Sequence, residues 1–131
     1  MRTIRSGWIK VALFLAATAG AWPALGQYPA AAEYRALPPY CHARVDGSPE
    51  ERSTWSQTLG PDVFLHVHHY CFGLHFMRKA QTTMDKGQRK YLYSQAIGEF
   101  GYVIKNWPPG TALTQKAKAY VRQAEMMQKM Q

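Results

Sequence analysis

Four of the five histidines lie within ten residues, in the stretch HVHHYCFGLH at positions 66–75, around one of the two cysteines. Imidazole and thiolate groups bind Zn and Cu, and helical residues three or four apart can reach the same ion. On a helix, His68, Cys71 and His75 share one face. The spacing therefore permits a metal site, and its candidate ligands are the clustered histidines and the one beside the first cysteine: His66, His68, His69, His75 and His42.

A disulfide competes with this metal site. Cys41 and Cys71 are the only cysteines, and an even number in an exported chain usually means a bridge. Such a bridge would close a loop of about thirty residues and contribute roughly 3 to 4 kcal/mol. A bonded sulfur is no longer a thiolate ligand. We therefore favour a disulfide with packed or capping histidines, expect no cofactor, and keep metal binding as the alternative.

Other catalytic signatures are absent from the sequence. It contains no CxxCH for covalent haem, no CxxC redox pair, no GxSxG and no P-loop. Glu99 and Asp85 are isolated carboxylates, which is more typical of surface or capping groups than of a general acid and base. The sequence therefore predicts a protein that is not an enzyme.

A secretory signal peptide is predicted over residues 1–26, where three basic residues precede an apolar run at 11–22. Ala24 and Gly26 supply the small side chains that signal peptidase reads, so we expect cleavage between Gly26 and Gln27. The run is shorter than the roughly 20 residues of a transmembrane helix. We expect a periplasmic or secreted protein with no stable membrane span after cleavage, a retained anchor being the alternative.

The charge pattern argues against nucleic-acid binding. Three of the 16 basic residues and none of the eight acidic ones belong to the signal peptide, which leaves 13 against 8, a net charge of +5. These charges are scattered and form no basic block. Together with export, this predicts a protein partner and no nucleic acid.

The apolar periodicity predicts an all-α protein. Residues 27–48 are expected to form an extended, proline-rich arm and loop, because Pro38 and Pro39 disfavour a regular helix. A helical domain follows at 49–131, since apolar residues recur at three- and four-residue spacing between turn signals. Its helices are predicted at 49–59, 63–82, 88–106 and 111–129.

The third of these helices carries the spacing of a repeat. Ala96, Phe100, Val103 and Pro108 follow the pattern of the second helix of a tetratricopeptide repeat (TPR), in which a small residue allows close helix packing and proline ends the helix. The preceding helix contains a Gly-Leu pair at 73–74, as in a first repeat helix, although the gap is about eleven residues too long. About one and a half repeats of helical-hairpin type are predicted.

Three further motifs support this interpretation. LPPYC at 37–41, HHYCFGL at 68–74 and AIGEFGYVI at 96–104 resemble, in this order, exported bacterial TPR proteins with similar PPYC and HHYCxGL motifs. The resemblance implies helical hairpins, an envelope compartment and a role as a protein-interaction scaffold. It implies no catalytic residues.

The last predicted helix is the expected binding surface, because no predicted helix follows to cover its apolar face. We expect a periplasmic TPR-like adaptor that contacts another envelope protein or a second copy of itself. The alternative is a periplasmic protein that binds Zn or Cu. The residues of the expected docking face are Leu113, Ala117, Tyr120, Val121, Ala124 and Met127.

Overall fold

The computed structural model describes residues 28–131, and all secondary structure in that range is helical. The all-α prediction is confirmed, and each of the four predicted helices begins and ends within two residues of its expected bounds. The predicted signal peptide and its cleavage site lie outside the described residues. The helices are α1 Ala31–Tyr34, α2 Pro39–Asp46, α3 Pro49–Leu59, α4 Pro61–Thr82, α5 Lys86–Asn106 and α6 Ala112–Lys129.

Local side-chain chemistry sets the helix starts. At α3, the Glu51 backbone N–H donates to the Ser48 hydroxyl (3.2 Å), and the Ser48 N–H donates to the Glu51 carboxylate (2.8 Å), which is a capping box. Asp85 caps α5 and Thr111 caps α6 in the same N-terminal position. Gly60 joins α3 to α4 with φ of +88°, a conformation that favours glycine.

The segment before α3 corrects the prediction of an extended arm. Two stretches of residues 27–48 are helical, namely α1 and α2. Pro38 has a ψ of 146° and lies outside the helix, whereas Pro39 occupies the first helical position. A proline there loses no hydrogen bond, because the first N–H groups of a helix have no partner within it. The proline pair therefore starts α2.

Helices α4, α5 and α6 form two successive antiparallel hairpins. The end of α5 meets the start of α4, where the Trp107 indole N–H donates to the Val63 carbonyl (3.1 Å). The end of α6 meets the start of α5, where the Gln128 amide donates to the Lys90 carbonyl (3.0 Å). The hairpin packing is as predicted. That it belongs to a TPR superhelix stays a prediction.

Small residues bring α4 and α5 together. A Cβ placed on Gly73 would lie 2.7 Å from the Phe100 ring, so only glycine fits that crossing without a shift. Ala96 is fully buried one turn earlier on α5. Phe100 fills the space and stacks on Tyr120 of α6, with ring centroids 5.1 Å apart. One buried aromatic ring thus contacts both neighbouring helices.

The disulfide attaches α2 to this hairpin core. Cys41 in α2 and Cys71 in α4 are bonded, are fully buried and have Cα atoms 5.7 Å apart. The predicted bridge is confirmed, and it holds the turn that contains the proline pair against α4. Within residues 28–131, no helix combines the length and the apolarity that a bilayer span requires.

The predicted docking face of α6 is partly covered by packing within the fold, and its role in binding stays a prediction. Leu113, Ala117 and Ala124 are buried, because α5 covers this side of α6. Helix α5 of the same chain therefore covers the part of α6 that was expected to bind another protein. The other three residues of that face are half-buried against the same core: Tyr120, Val121 and Met127.

Candidate functional site

Two surfaces of α4 carry the side chains whose chemistry suits binding or catalysis. The first, the histidine face, is shared with α5. The second, the tyrosine groove, lies between α2, α4 and α6. The histidine face consists of His66, His68, His69, Phe72, Glu99 and Tyr102. The tyrosine groove is lined by Tyr40, Tyr70, Leu74, Met77, Lys116 and Tyr120.

On the histidine face, an imidazole and a carboxylate are paired. His69 Nδ1 lies 2.7 Å from Glu99 Oε2, and both side chains are partly buried. The His69 ring also packs on Tyr102, with centroids 3.9 Å apart. The carboxylate fixes which nitrogen carries the proton, and the phenol ring fixes the orientation of the imidazole. Both polar groups are therefore engaged within the fold.

Tyr102 contacts a second imidazole on the same face. Its hydroxyl lies 3.4 Å from His66 Nδ1, and the two rings meet edge-on with centroids 5.5 Å apart. The same phenol ring thus contacts both His66 and His69. This packing occupies the ring faces and explains why two histidines three residues apart on a helix do not form an open chelate.

His68 is held in its neutral form. Its Nδ1 is buried without a hydrogen-bond partner in residues 28–131, and its ring lies 4.3 Å from that of His69. Burial, together with a smaller effect of positive charge at His69 and Arg44, lowers the pKa of His68 to about 4. The uncharged ring packs edge-on against Phe72.

His75 lies apart from the other histidines, and it is only 4% exposed. Its Nδ1 is 3.9 Å from Glu33 Oε1 of α1, and its Nε2 is buried without a partner in the described chain. Burial lowers the pKa of His75, while the Glu33 carboxylate acts in the opposite direction. A cavity of about 200 Å³ beside it is lined by Glu33 and Arg78.

The structure does not bring the five candidate metal ligands together. Among residues 28–131, no group of three or more His, Cys, Asp and Glu side chains is arranged to hold an ion. Cys71 cannot serve as a ligand, because its sulfur is bonded to Cys41. His66, His68 and His69 share the histidine face, whereas His75 faces α1 and His42 lies on α2.

The tyrosine groove brings together side chains from three helices. The Tyr70 ring lies 6.5 Å from Tyr40 of α2 and 6.3 Å from Tyr120 of α6, measured between centroids. All three tyrosines and Lys116 line one cavity of about 350 Å³. Phenol hydroxyls and an ammonium group therefore border the same space, above an apolar wall that includes Leu74.

Tyr70 is the unusual member of this set. Its side chain is only 2% exposed, yet its hydroxyl opens onto the groove and forms no hydrogen bond with any other residue of 28–131. Burial raises the pKa of Tyr70, and burial raises the pKa of Tyr40 to about 12. Both hydroxyls are therefore protonated donors at neutral pH.

The sequence did not reveal this groove. Tyr120 was expected on the docking face of the last helix, and the segment containing Tyr40 was expected to be an extended arm. The available signal was chemical: a tyrosine on a largely buried helix face needs solvent or an acceptor for its hydroxyl, which places it beside a surface or a cavity. Helical spacing alone does not reveal that the three tyrosines line one cavity.

No family model, curated protein or solved structure matches this chain, so its function is inferred from the geometry of its own residues.

Proposed function

We propose that the protein is a non-enzymatic, TPR-like adaptor of the bacterial envelope that holds a segment of another envelope protein in the tyrosine groove. The observation that carries this proposal is the Tyr70 hydroxyl, which belongs to a buried side chain and lacks a partner within residues 28–131. This hydroxyl is not one of the sealed polar atoms of residues 28–131, which are His68 Nδ1 and His75 Nε2, and it is reached from the groove. A ligand in the groove would supply its acceptor.

The chemistry of the groove favours binding over catalysis. Its three phenols are hydrogen-bond donors, and the raised pKa values of Tyr40 and Tyr70 make both groups poor bases and poor nucleophiles at neutral pH. Neither a carboxylate nor a histidine lines the cavity. The groove offers hydrogen bonds and apolar surface, which is the combination that recognises a peptide.

The covalent structure supports an envelope location. The bridge between Cys41 and Cys71 is the kind of bond that forms and persists in oxidising compartments. The signal peptide predicted at residues 1–26 supplies the route of export. Export and the disulfide belong together in this proposal, because α2 forms one wall of the groove only while the bridge holds it against α4.

Site-specific photo-crosslinking in living cells tests the proposal. A photoreactive residue at Gln123, which lines the groove and is exposed, should form an adduct with a distinct envelope protein. The same residue at Tyr91, which is 52% exposed on α5 away from the groove, is the control. Equal labelling at both positions, or none at Gln123 in folded and exported protein, would contradict the proposal.

A further inference from the structure

The tyrosine groove is long enough for several residues of an extended chain. Two adjoining cavities of about 260 and 350 Å³ share Pro38, Leu74 and Tyr120 and therefore form one continuous groove. Along α4 it runs from Tyr70 to Gln81, and eleven residues of helix rise about 16 Å. An extended peptide advances about 3.3 Å per residue, so the groove accommodates about five residues.

The charged groups along this groove are all positive. Lys116 lines the end beside Tyr70, and Arg78 lines the other end. No aspartate or glutamate lines either cavity. At the Lys116 end, the hydroxyls of the three tyrosines add uncharged donors, of which Tyr70 has no acceptor in the described chain. Both ends of the groove therefore suit a carboxylate.

The spacing of the groove residues defines the ligand further. Tyr70, Leu74 and Arg78 follow one another at intervals of four along α4, so donor, apolar and cationic positions alternate about 6 Å apart. In an extended peptide, side chains two residues apart point to the same side and are about 6.6 Å apart. Over this length, the spacing of every fourth residue on α4 therefore nearly matches the spacing of every second side chain of an extended peptide.

We propose that the segment bound in the tyrosine groove is an acidic, extended peptide with two carboxylate side chains four residues apart and an apolar side chain midway. One carboxylate accepts hydrogen bonds from the tyrosine hydroxyls and pairs with Lys116. The apolar side chain packs on Leu74, and the second carboxylate pairs with Arg78. This inference rests on the proposed adaptor function and names the chemistry of its partner.

A second copy of the chain is a poorer fit for the groove. Residues 28–131 carry 13 basic and 8 acidic side chains, so two copies repel each other. Acidic residues four apart with an apolar residue midway do not occur in this sequence. A dimer that the Tyr70→Phe substitution abolishes would overturn the choice of an acidic partner.

Calorimetric titration with synthetic peptides tests the inference. The ligand is the acetylated and amidated peptide Ser-Glu-Ser-Leu-Ser-Glu-Ser, and the protein is the exported chain with its disulfide intact. Replacing both glutamates by glutamine should weaken binding at least tenfold, because hydrogen bonds to charged groups are the stronger ones. Raising the salt concentration should weaken binding of the acidic peptide more than that of the glutamine peptide.

Matched variants locate the binding. Tyr70→Phe and Lys116→Gln should each lower the affinity for the acidic peptide about tenfold. Tyr91→Phe and Lys118→Gln, which change residues outside the groove lining, should leave it unaltered. Tyr70→Phe should also leave the melting temperature equal or higher, because it removes a hydroxyl that has no partner in the described chain.

The outcomes separate this inference from the adaptor function. Equal affinity for the glutamate and glutamine peptides, or failure of the acidic peptide to bind, overturns the acidic partner. If crosslinking at Gln123 still identifies an envelope protein, the adaptor function stands without the acidic preference. If crosslinking at Gln123 also fails, both are wrong.

Discussion

The two surfaces of α4 differ in how their polar groups are satisfied. On the histidine face, His69 is paired with Glu99, and Tyr102 packs against two imidazoles. In the tyrosine groove, the hydroxyl of the nearly buried Tyr70 has no partner within residues 28–131. The histidine face is filled by its own ring contacts, although His68 Nδ1 is buried without a partner in residues 28–131. The tyrosine groove instead borders an open cavity of about 350 Å³ and is the better candidate for a ligand.

The difference lies in access from solvent. The polar atoms that are buried without a partner in residues 28–131 are His68 Nδ1 and His75 Nε2, whereas the Tyr70 hydroxyl faces the groove. A ligand oxygen in the groove can therefore replace water as the acceptor of the Tyr70 hydroxyl. If the groove is the binding surface, changes on the histidine face should leave peptide binding unaltered.

Removal of the disulfide should have the largest effect. Replacing both Cys41 and Cys71 by serine should lower the free energy of unfolding by roughly 3 to 4 kcal/mol, because the bridge closes a loop of thirty residues. It should also release α2, and with it Tyr40, so that peptide binding is lost at temperatures where α4 to α6 remain folded. Urea unfolding followed by circular dichroism measures the first effect, and calorimetry the second. A loss below about 1 kcal/mol would contradict the role given to the bridge.

A glycine substitution should have the next largest effect. Gly73→Ala places a Cβ 2.7 Å from the Phe100 ring and should destabilise the fold by about 1 to 3 kcal/mol. Because Phe100 stacks on Tyr120, the groove should be disturbed as well. The control is Gly98→Ala on α5, where a Cβ meets nothing within 4 Å and should stabilise the helix by up to about 1 kcal/mol. Thermal unfolding of the two variants should shift in opposite directions; equal shifts would argue against close packing at Gly73.

Acid should lower the free energy of unfolding, because protonation of the buried histidines favours the unfolded chain. The pKa of His68 is about 4 in the folded chain and near 6.5 when unfolded, so the unfolded state binds the proton first. Stability is therefore full above pH 6.5 and falls as the pH drops toward 4, by at most about 1.4 kcal/mol per pH unit for one group. Burial of His75 acts in the same direction. His68→Phe should flatten the dependence measured by urea midpoints, whereas Tyr70→Phe should keep it. An unchanged slope in His68→Phe would show that His68 is not the group responsible.

The pair on the histidine face should contribute less. His69→Gln and Glu99→Gln, made singly and together, should reveal a coupling of about 1 kcal/mol, because one hydrogen bond between partly buried groups is lost. None of these variants should alter affinity for the acidic peptide. A change in peptide affinity would mean that the two surfaces of α4 are energetically linked, and would contradict their independence.

The smallest signal is expected from metal titration. Zn and Cu should bind the exported protein more weakly than about micromolar, because the candidate ligands are dispersed or engaged. The glutamine variants of the clustered histidines serve as controls in calorimetry. Tight binding of one ion per chain, lost in those variants, would instead favour the metal-binding alternative built on His66, His68, His69, His75 and His42.

The helices were predictable because local signals determine them. The capping serine at 48, the prolines and the three-to-four spacing lie within a few residues of the features they predict. The error at the proline pair had a local cause too: Pro39 was interpreted as a helix breaker, although it occupies the first helical turn, where proline is tolerated. Helix ends that depend on neighbouring residues can therefore be predicted from the sequence.

Burial and the groove were less predictable because they depend on distant elements. On α5, Tyr91 is 52% exposed whereas Tyr93 is buried, since α5 packs against both α4 and α6 and buries two sides. In the same way, the groove combines residues from α2, α4 and α6. A period calculated for one helix contains no information about which three tyrosines will meet.

The most direct test of the account is an amide NMR titration of the exported protein with the acidic peptide. The contrast between the two surfaces predicts chemical-shift changes around Tyr70, Tyr120 and Gln123, and unchanged signals around His66 and His69. Changes centred on the histidines, with the groove signals unmoved, would contradict the claim that the tyrosine groove is the binding surface.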